Sequence, residues 1–275
     1  MTPPIPVGLL AGSGRFPVLF CEKARARGIP VFAAAFFGQT DEAGVEKARA
    51  VEWFHLGEVG RVLSWFKNND VADMVFLGGI RKPDIYSDIR LDPTAVRLLS
   101  SISTTHDDDL LRAIAAFIEN EGIAVRPSTW LLPELLAPSG VWTKREPTPL
   151  EWRDIGFGFG LAKKIGALDV GQCVVVADRC AVAVEAMEGT DAAIRRAGTL
   201  RRGNTVVVKV KKPIQDTRFD LPAAGVETIK SMMEAGAGVL ALEAGASVVI
   251  DREEMIALAD LNNIAVVGVT EEMTP

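Results

Sequence analysis

Histidine and cysteine are scarce in this sequence, which limits the metal and redox chemistry it can support. The 275 residues include two histidines, His55 and His106, so a zinc site built from several histidines is excluded. The three cysteines, Cys21, Cys173 and Cys180, have no CxxC spacing, and their odd number leaves no complete set of disulfides. Because this usage is typical of a reducing compartment, we expect a cytoplasmic protein.

Long apolar runs and basic tracts are absent as well. Hydrophobic residues make up 48% of the chain and the mean hydropathy is +0.20, yet no uncharged run reaches the roughly 18–20 residues that span a bilayer. The start, Met1-Thr2-Pro3-Pro4, carries no positive side chain, and the apolar stretch after it is broken at Gly12, so we expect no secretory signal. A net charge of −6 without a basic tract argues against nucleic acid as the main partner.

The first half of the chain alternates apolar segments of strand length with amphipathic segments of helix length. Strands are predicted at 6–11, 29–37, 51–55 and 74–77, and helices at 18–27, 58–68 and 110–120. This alternation predicts an α/β domain of Rossmann-like type, with a parallel sheet covered by helices. Residues 138–150 are rich in proline and polar residues and are interpreted as a linker, so the predicted domains are residues 1–137 and 151–275.

A glycine-rich turn follows the first predicted strand. Gly12, Ser13 and Gly14 lie where the first helix begins, and backbone N–H groups at such a place favour phosphate. The match to GxGxxG is incomplete, because Pro17 stands where the third glycine would be. Close packing of the strand against the helix explains the same glycines, so both interpretations stay open.

A second glycine turn follows the strand at 74–77. Gly79, Arg81 and Lys82 leave the carboxyl end of that strand, the edge at which open α/β sheets bind ligands. We interpret them as part of a binding loop, and the alternative is an ordinary long surface loop.

The second half of the chain predicts a mixed sheet that begins with a β-hairpin. Two apolar runs flank Asp178-Arg179, and a two-residue turn there would place Cys173 opposite Val184. Helices at 226–235 and 252–261 and strands at 239–242, 247–250 and 264–269 complete a mixed α/β domain.

Three acids follow the second strand of this hairpin. Glu185, Glu188 and Asp191 lie at a strand-to-helix turn together with Thr190. Three carboxylates in such a turn are able to coordinate a hard cation such as Mg²⁺. The alternative is that Thr190 or Asp191 caps the following helix.

A charged strand and loop form the most distinctive segment. Residues 205–211 alternate in a way that predicts a half-buried strand, with Lys209 and Lys211 on its exposed face.

The loop after this strand carries Gln215, Asp216, Arg218 and Asp220. Cations at a strand end neutralise phosphoryl oxygens, and paired carboxylates hold a divalent ion or take a proton. The alternative is a solvated charged turn, which the charge count alone favours.

Four stretches of the chain resemble one protein family. They are GLLAGSGRFP, GGIRKPD, DVGQCVVVADRCAVAVEAMEGTD and KVKKPIQDTRFDLPAAG, and together they extend over nearly the whole sequence. The EGTD and QDTRFDLP stretches are the most specific. The chain resembles the UDP-2,3-diacylglucosamine pyrophosphatases of the lipid A pathway, of the type unrelated to calcineurin-like phosphoesterases.

The resemblance implies a reaction and a setting. The reaction is Mg²⁺-dependent hydrolysis of the pyrophosphate of UDP-2,3-diacylglucosamine, with attack at the β-phosphorus, giving UMP and 2,3-diacylglucosamine 1-phosphate (lipid X). Two α/β domains are expected to enclose the lipid, and a homodimer is expected to form through the C-terminal domain. The protein is expected in the cytoplasm with transient contact at the inner membrane surface. The last aspartate of the family's motif corresponds to Asp220, which is implied to act in catalysis.

Residues and resemblance together give three predicted sets. The catalytic set is Asp220 as Mg²⁺ ligand or general base, Asp216 as its partner, and Lys209, Lys211 and Arg218 as phosphate ligands. The metal set is Asp220, Asp216, Glu185, Glu188 and Asp191. The substrate-binding set is Gly12, Ser13, Gly14, Gly79, Arg81, Lys82, Gln215 and Thr190.

The acyl chains of such a substrate need an apolar chamber. We expect it between the domains, lined in part by the loop after Leu77 and the segment near Trp130. Two alternative functions stay open at this point. One is a nucleotide-sugar or lipid-binding protein without catalysis, and the other is a dinucleotide-dependent oxidoreductase that uses the first glycine turn.

Overall fold

A computed structural model describes residues 5–80, 89–100 and 107–274, with the backbone alone at 107–109. The chain divides into two compact units. The N-terminal unit is Met1–Pro133 with Asp216–Asp220, and the C-terminal unit is Glu134–Gln215 with Leu221–Pro275. Among the helices of the described residues, none has the length and apolar character needed to cross a membrane.

The N-terminal unit is built on a parallel sheet. Its strands are β1 (Val7–Ala11), β2 (Val31–Phe36), β3 (Ala50–Phe54), β4 (Asp73–Leu77) and β5 (Ala124–Val125), and they lie in the order β3-β2-β1-β4-β5. Its helices are α1 (Arg15–Ala26), α2 (Glu42–Val45), α3 (Val59–Asn68), α4 (Pro93–Ser100) and α5 (Asp107–Asn120). The predicted Rossmann-like parallel sheet is confirmed. The pattern did not predict α2 and α4, which are short.

Helix α3 shows how the apolar pattern becomes a core. It buries Val62, Leu63 and Phe66, whose spacing of three and four residues places them on one face. They form a cluster with Phe54 and Met74 of the sheet. Burial of such side chains contributes about 1.5–3 kcal/mol each.

The strand order reverses between β1 and β4, and the turns that follow these two strands cross there. The N–H of Gly12 donates to Leu77 O at 2.7 Å, and Ser13 and Gly79 exchange two backbone hydrogen bonds of 2.8 and 3.0 Å. A Cβ at Gly12 would lie 2.5 Å from Gly79 O. Gly78 has a φ of 88°, and a Cβ there would lie 2.5 Å from Ser13 O. These glycines are therefore required by the close approach of two backbones.

The C-terminal unit is built on a six-stranded mixed sheet. Its strands are β6 (Gly140–Val141), β7 (Cys173–Ala177), β8 (Cys180–Val184), β9 (Val206–Lys209), β11 (Val239–Glu243) and β13 (Ala265–Val269), in the order β6-β13-β11-β9-β7-β8. The strands β10 (Ala223–Ala224) and β12 (Val248–Val249) form a separate parallel pair. The helices are α6 (Pro149–Ala167), α7 (Thr190–Leu200), α8 (Val226–Ala235) and α9 (Arg252–Leu261). Strand β6 lies within the stretch interpreted as a linker and pairs with β13.

Strand β9 lies in the middle of this unit and is buried on both faces. Val206 and Val208 pack with α6, while Val207 packs with α7, α8 and α9. Lys209 is only 6% exposed. The prediction of a half-buried strand with an exposed lysine face is wrong, because helices cover both faces of the sheet.

The β7–β8 hairpin has the predicted two-residue turn. Asp178 and Arg179 both have positive φ, of 51° and 57°, and their N–H groups donate to the carboxylate of Asp154 in α6. A register shift between Val175 and Val176 pairs Val184 with Val174, so the predicted pairing of Cys173 with Val184 is wrong by one residue. All three cysteines are free.

The crossing of the two glycine turns makes a matched pair of alanine substitutions informative. We expect Gly12→Ala to lower the free energy of unfolding by about 1–3 kcal/mol, because its Cβ would clash with backbone atoms. Gly79→Ala should change it by less than about 1 kcal/mol, since its Cβ meets only Ser13 Oγ at 3.4 Å. Urea unfolding of both variants tests this, and equal losses would contradict the crossing geometry.

Candidate functional site

The predicted site residues divide between the two units. The N-terminal unit contains Gly12, Ser13, Gly14, Gly79, Asp216, Arg218 and Asp220, and the C-terminal unit contains Glu185, Glu188, Thr190, Asp191, Lys209, Lys211 and Gln215. Arg81 and Lys82 lie outside the described residues.

An apolar cavity of about 460 Å³ lies in the N-terminal unit at the carboxyl edge of the parallel sheet. This volume falls in the range of about 300–1,000 Å³ that is usual for ligand pockets. The cavity is bounded by the ends of β1, β2 and β4, by α3 and α5, and by Phe219. The loop after Leu77 contributes Ile80 as expected, whereas Trp130 is not among the described residues that line it.

Glu58 is the single charged residue in the described lining of this cavity. Burial opposes its ionisation, but hydrogen bonds from the His55 N–H at 2.6 Å and from Arg61 at 2.5 Å outweigh burial and lower the pKa of Glu58. The carboxylate is thus satisfied by its own neighbours, and the rest of the lining is suited to a hydrocarbon.

The first glycine turn has its backbone donors engaged by the protein. Gly12 and Ser13 donate to the turn after β4, as described above, and the N–H of Gly14 donates to Asp41 Oδ2 at 2.7 Å. The carboxylate of Asp41 therefore sits at the start of α1, where a dinucleotide phosphate would bind. This arrangement disfavours the oxidoreductase alternative. The sequence pattern missed Asp41, which follows β2 by five residues.

Residues 216–220 form a turn that is held by ionic contacts. The N–H groups of Phe219 and Asp220 both donate to Asp216 O, at 3.4 and 3.1 Å. The Arg218 guanidinium contacts Asp216 Oδ2 at 2.7 Å and both carboxylate oxygens of Glu119 at 3.1 Å. Arg218 is thus bound to two carboxylates, which weakens its assignment as a phosphate ligand. Glu119 was missed because nothing near it in the sequence marks it.

The charges in this turn decide which acid suits a proton-transfer role. The hydrogen bonds from Arg218 hold the pKa of Asp216 below its usual value, and Asp216 in turn raises the pKa of Arg218. A carboxylate with a lowered pKa is a weak base at neutral pH. Asp216 is therefore better suited to holding the turn than to taking a proton, and Asp220 is the other acid of the same turn.

The C-terminal unit brings several predicted residues together around Cys173. The pKa of the Cys173 thiol is raised to about 12, mainly by burial; nearby Glu185 and Asp191 also act to raise it, and Lys209 acts against them. The ammonium group of Lys209 donates to Ala223 O at 2.7 Å. Lys209, Glu185 and Asp191 thus all lie near Cys173, and Lys209 is buried beneath the helices that cover the sheet.

The acids after β8 bind protein groups. Glu185 accepts hydrogen bonds from Thr190 Oγ1 at 2.9 Å and from the Gln172 N–H at 3.2 Å, and Glu188 pairs with Arg196 at 2.6 Å. The prediction that Thr190 or Asp191 caps α7 is wrong, because the cap position is occupied by Gly189 and has no side-chain hydrogen bond. Within the described ranges, no three His, Cys, Asp or Glu side chains are grouped so that they could hold a metal ion.

The backbone of Lys211 is clamped by an ion pair. Its N–H donates to Glu243 Oε2 at 2.8 Å, and its carbonyl accepts from Lys163 Nζ at 3.1 Å. Lys163 and Glu243 are themselves joined by contacts of 2.6 and 2.7 Å. Lys211 Nζ then reaches Gln215 O at 3.2 Å, so this clamp fixes the backbone from which the lysine side chain extends. A charged residue directly after the apolar run 239–242 was the available signal for Glu243.

The two halves of the chain match the two domains of one protein family. Residues 6–135 match the LpxI N-terminal domain, and residues 138–267 match the LpxI C-terminal domain. The UDP-2,3-diacylglucosamine pyrophosphatase LpxI of Caulobacter vibrioides is 33% identical over 280 residues, which covers 98% of this chain and 99% of that protein.

Two solved structures give weak matches. The biotin carboxylase domain of Hydrogenobacter thermophilus 2-oxoglutarate carboxylase matches with a TM-score of 0.27 and 13% identity, over 63% of this chain and 35% of that one. Phosphoribosylglycinamide synthetase from Anaerococcus prevotii matches with a TM-score of 0.25 and 11% identity, over 73% of this chain and 43% of that one. This chain therefore spans less than half of either protein.

The clamp on Lys211 predicts a local change on substitution of Glu243. We expect Glu243→Gln to speed hydrogen exchange of the Lys211 amide about tenfold, equivalent to about 1.4 kcal/mol, because a charged acceptor is replaced by a neutral one. Glu151→Gln is the matched control, since Glu151 forms an ion pair of similar burial with Arg145. An unchanged Lys211 amide in the Glu243 variant would show that the clamp does not hold this backbone.

Proposed function

The chain belongs to the LpxI family, and we propose that it hydrolyses the pyrophosphate of UDP-2,3-diacylglucosamine to UMP and 2,3-diacylglucosamine 1-phosphate. The 33% identical relative, which is named UDP-2,3-diacylglucosamine pyrophosphatase LpxI, supports this reaction. The structural observation that carries the proposal is that an apolar cavity and a charged turn lie next to each other in the N-terminal unit. Phe219 lines the cavity, and the next residue is Asp220.

The cavity suits the lipid part of this substrate. Each methylene removed from water contributes about 0.8 kcal/mol, so a diacyl sugar needs an apolar enclosure when it leaves a membrane. The lining of α3 and α5 side chains supplies one, and its single described charge is already paired. A nucleotide without acyl chains has no use for such a cavity.

The reaction itself needs a positioned water and charge neutralisation. The oxygen of water forms a bond to the β-phosphorus, the bond from that phosphorus to the bridging oxygen breaks, and UMP leaves with the bridging oxygen. Asp220 takes the proton of the water or holds the metal ion. Asp216 and Arg218 hold the turn, and the contacts between them support this division of roles.

Among the predicted cations, Lys211 is assigned to the phosphates. Lys209 is buried and Arg218 is bound to two carboxylates, whereas Lys211 is partly exposed and its Nζ donates to Gln215 O at 3.2 Å. The clamp by Lys163 and Glu243 fixes the origin of the Lys211 side chain, which reduces the entropy lost when it binds an anion.

Mg²⁺ is proposed as the cofactor, bound by few protein ligands. The described carboxylates do not form a cage of three, but Mg²⁺ is usually held by one or two carboxylates together with substrate phosphates. Asp220 is the acid we assign to it. When bound, the ion supplies charge neutralisation at phosphate oxygens.

The reaction can be followed by ³¹P NMR of purified protein with UDP-2,3-diacylglucosamine. We expect UMP and the sugar 1-phosphate to form with Mg²⁺ and neither to form with EDTA. When the reaction is run in H₂¹⁸O, the ¹⁸O label should appear in the sugar phosphate. Asp220→Asn should slow the reaction by about 10² or more, because a catalytic carboxylate is lost.

The matched control for Asp220 is Asp70→Asn. Asp70 is exposed, precedes β4 at the opposite edge of the sheet, and has a φ of 57° that asparagine tolerates. It should keep the native rate. A folded Asp220→Asn protein with the native rate would overturn the role of Asp220. Bound lipid without cleavage, at any metal concentration, would leave the binding-protein alternative.

Filling the cavity should change the acyl preference. Ile114 lines the cavity from α5, and Ile114→Trp should raise KM for long-chain substrate about tenfold while leaving an acetyl-chain analogue unaffected, since only a long chain needs the space. Ala116→Trp on the exposed side of the same helix is the control. An unchanged KM for the long chain in Ile114→Trp would place the acyl chains elsewhere.

A further inference from the structure

The turn 216–220 is attached to the N-terminal unit by a polar anchor. Arg218 lies between Asp216 in its own turn and Glu119 near the end of α5, with contacts to both carboxylates. The hydroxyl and the N–H of Ser128 also donate to Thr217 O, at 3.4 and 3.3 Å. These contacts hold the turn against α5 and the segment after β5.

The same turn has an apolar anchor on the other side of Arg218. The ring of Phe219 lies 5.7 Å from the ring of Phe76 in β4 and forms part of the cavity wall. The guanidinium carbon of Arg218 lies 5.4 Å from the centre of the Phe219 ring, so the two anchors touch each other.

Asp220 is tied to both anchors through the backbone. Its N–H and that of Phe219 share the carbonyl of Asp216 as acceptor. Because these hydrogen bonds close the turn, we expect a displacement of the Phe219 ring or of the Arg218 guanidinium to displace Asp220 as well. An error of 1 Å in a catalytic group is able to cost about 10² in rate.

We propose that Phe219 and Glu119 are positioning residues for Asp220, and that an acyl chain in the cavity promotes cleavage by holding the Phe219 ring in the cavity wall. This inference rests on the proposed function and concerns how its two parts are coupled. An acyl chain in the cavity gains dispersion contacts with Phe219 only when the Phe219 ring forms part of the cavity wall. Binding of the acyl chain therefore favours the conformation in which the turn 216–220 is held against the cavity wall. The binding energy of the acyl chain, which is remote from the reacting phosphorus, is then expressed in kcat rather than in KM alone.

The kinetic test compares long-chain and acetyl-chain substrates in the native protein and in Phe219→Ala. We expect kcat of the native protein to rise about tenfold or more from acetyl to long chain, and the rise to be lost in Phe219→Ala. Phe219→Leu, which keeps an apolar side chain in the wall, should restore most of it. A native kcat that is independent of chain length, or a Phe219→Ala protein that keeps the full rise, overturns the proposal.

The polar anchor is tested with a matched pair on the same part of the chain. Glu119→Gln removes one of the two charges bound by Arg218, and we expect kcat to fall about threefold to tenfold with little change in KM. Glu121→Gln, whose carboxylate pairs with Lys67 at 2.6 Å and not with the turn, should keep the native kcat. Equal effects of the two substitutions overturn the role of Glu119.

Hydrogen exchange tests the coupling without relying on turnover. Added 2,3-diacylglucosamine 1-phosphate should slow exchange of the Phe219 and Asp220 amides at least about fivefold in the native protein, and much less in Phe219→Ala. Unchanged amides with the lipid bound overturn the coupling, whatever the activity. If the amides are protected but UMP is never formed, the coupling stands and the proposed hydrolysis fails.

Discussion

The ion network of Arg218 with Asp216 and Glu119 allows a charged turn to lie beside an apolar cavity. An isolated charge next to hydrocarbon is costly, because burial removes its water without replacing the hydrogen bonds. Here the guanidinium meets two carboxylates, and these contacts stabilise the ionised forms, which raises the pKa of Arg218 and lowers that of Asp216. Phe219 faces the cavity and Asp220 follows it in the same turn. The chemistry proposed for this protein depends on keeping these two residues side by side.

The N-terminal sheet uses its switch point in an unusual way. In open α/β sheets, ligands bind at the carboxyl edge where the strand order reverses. In this unit the turns after β1 and β4 bind each other at that point, and Asp41 satisfies the N–H of Gly14 at the start of α1. The usual place for a phosphate is thus closed by the protein itself. The space beside it, under α3 and α5, is apolar and fits a lipid better than a dinucleotide.

Local sequence patterns identified the candidate groups of the site but not the protein groups that bind them. The charged loop, the acids after the hairpin, Lys209 of β9 and Lys211 just after it were found from local patterns, and their roles as ligands stay predictions. The structure adds what each is bound to: Glu119 for Arg218, Arg196 for Glu188, and the Lys163–Glu243 pair for the backbone of Lys211. These contacts decide which of the predicted groups are presented to a ligand and which hold the protein together.

The sequence by itself determined the α/β alternation, the hairpin turn, most helix and strand positions and the family resemblance, because these follow from residues close together in the chain. Tertiary structure decided the rest. Glu119 and Arg218 are 99 positions apart, and Gly14 and Asp41 are 27 apart, so no local pattern pairs them. The burial of Lys209 depends on helices that cover both faces of β9. The cavity likewise exists only where the ends of separate strands, two helices and Phe219 meet.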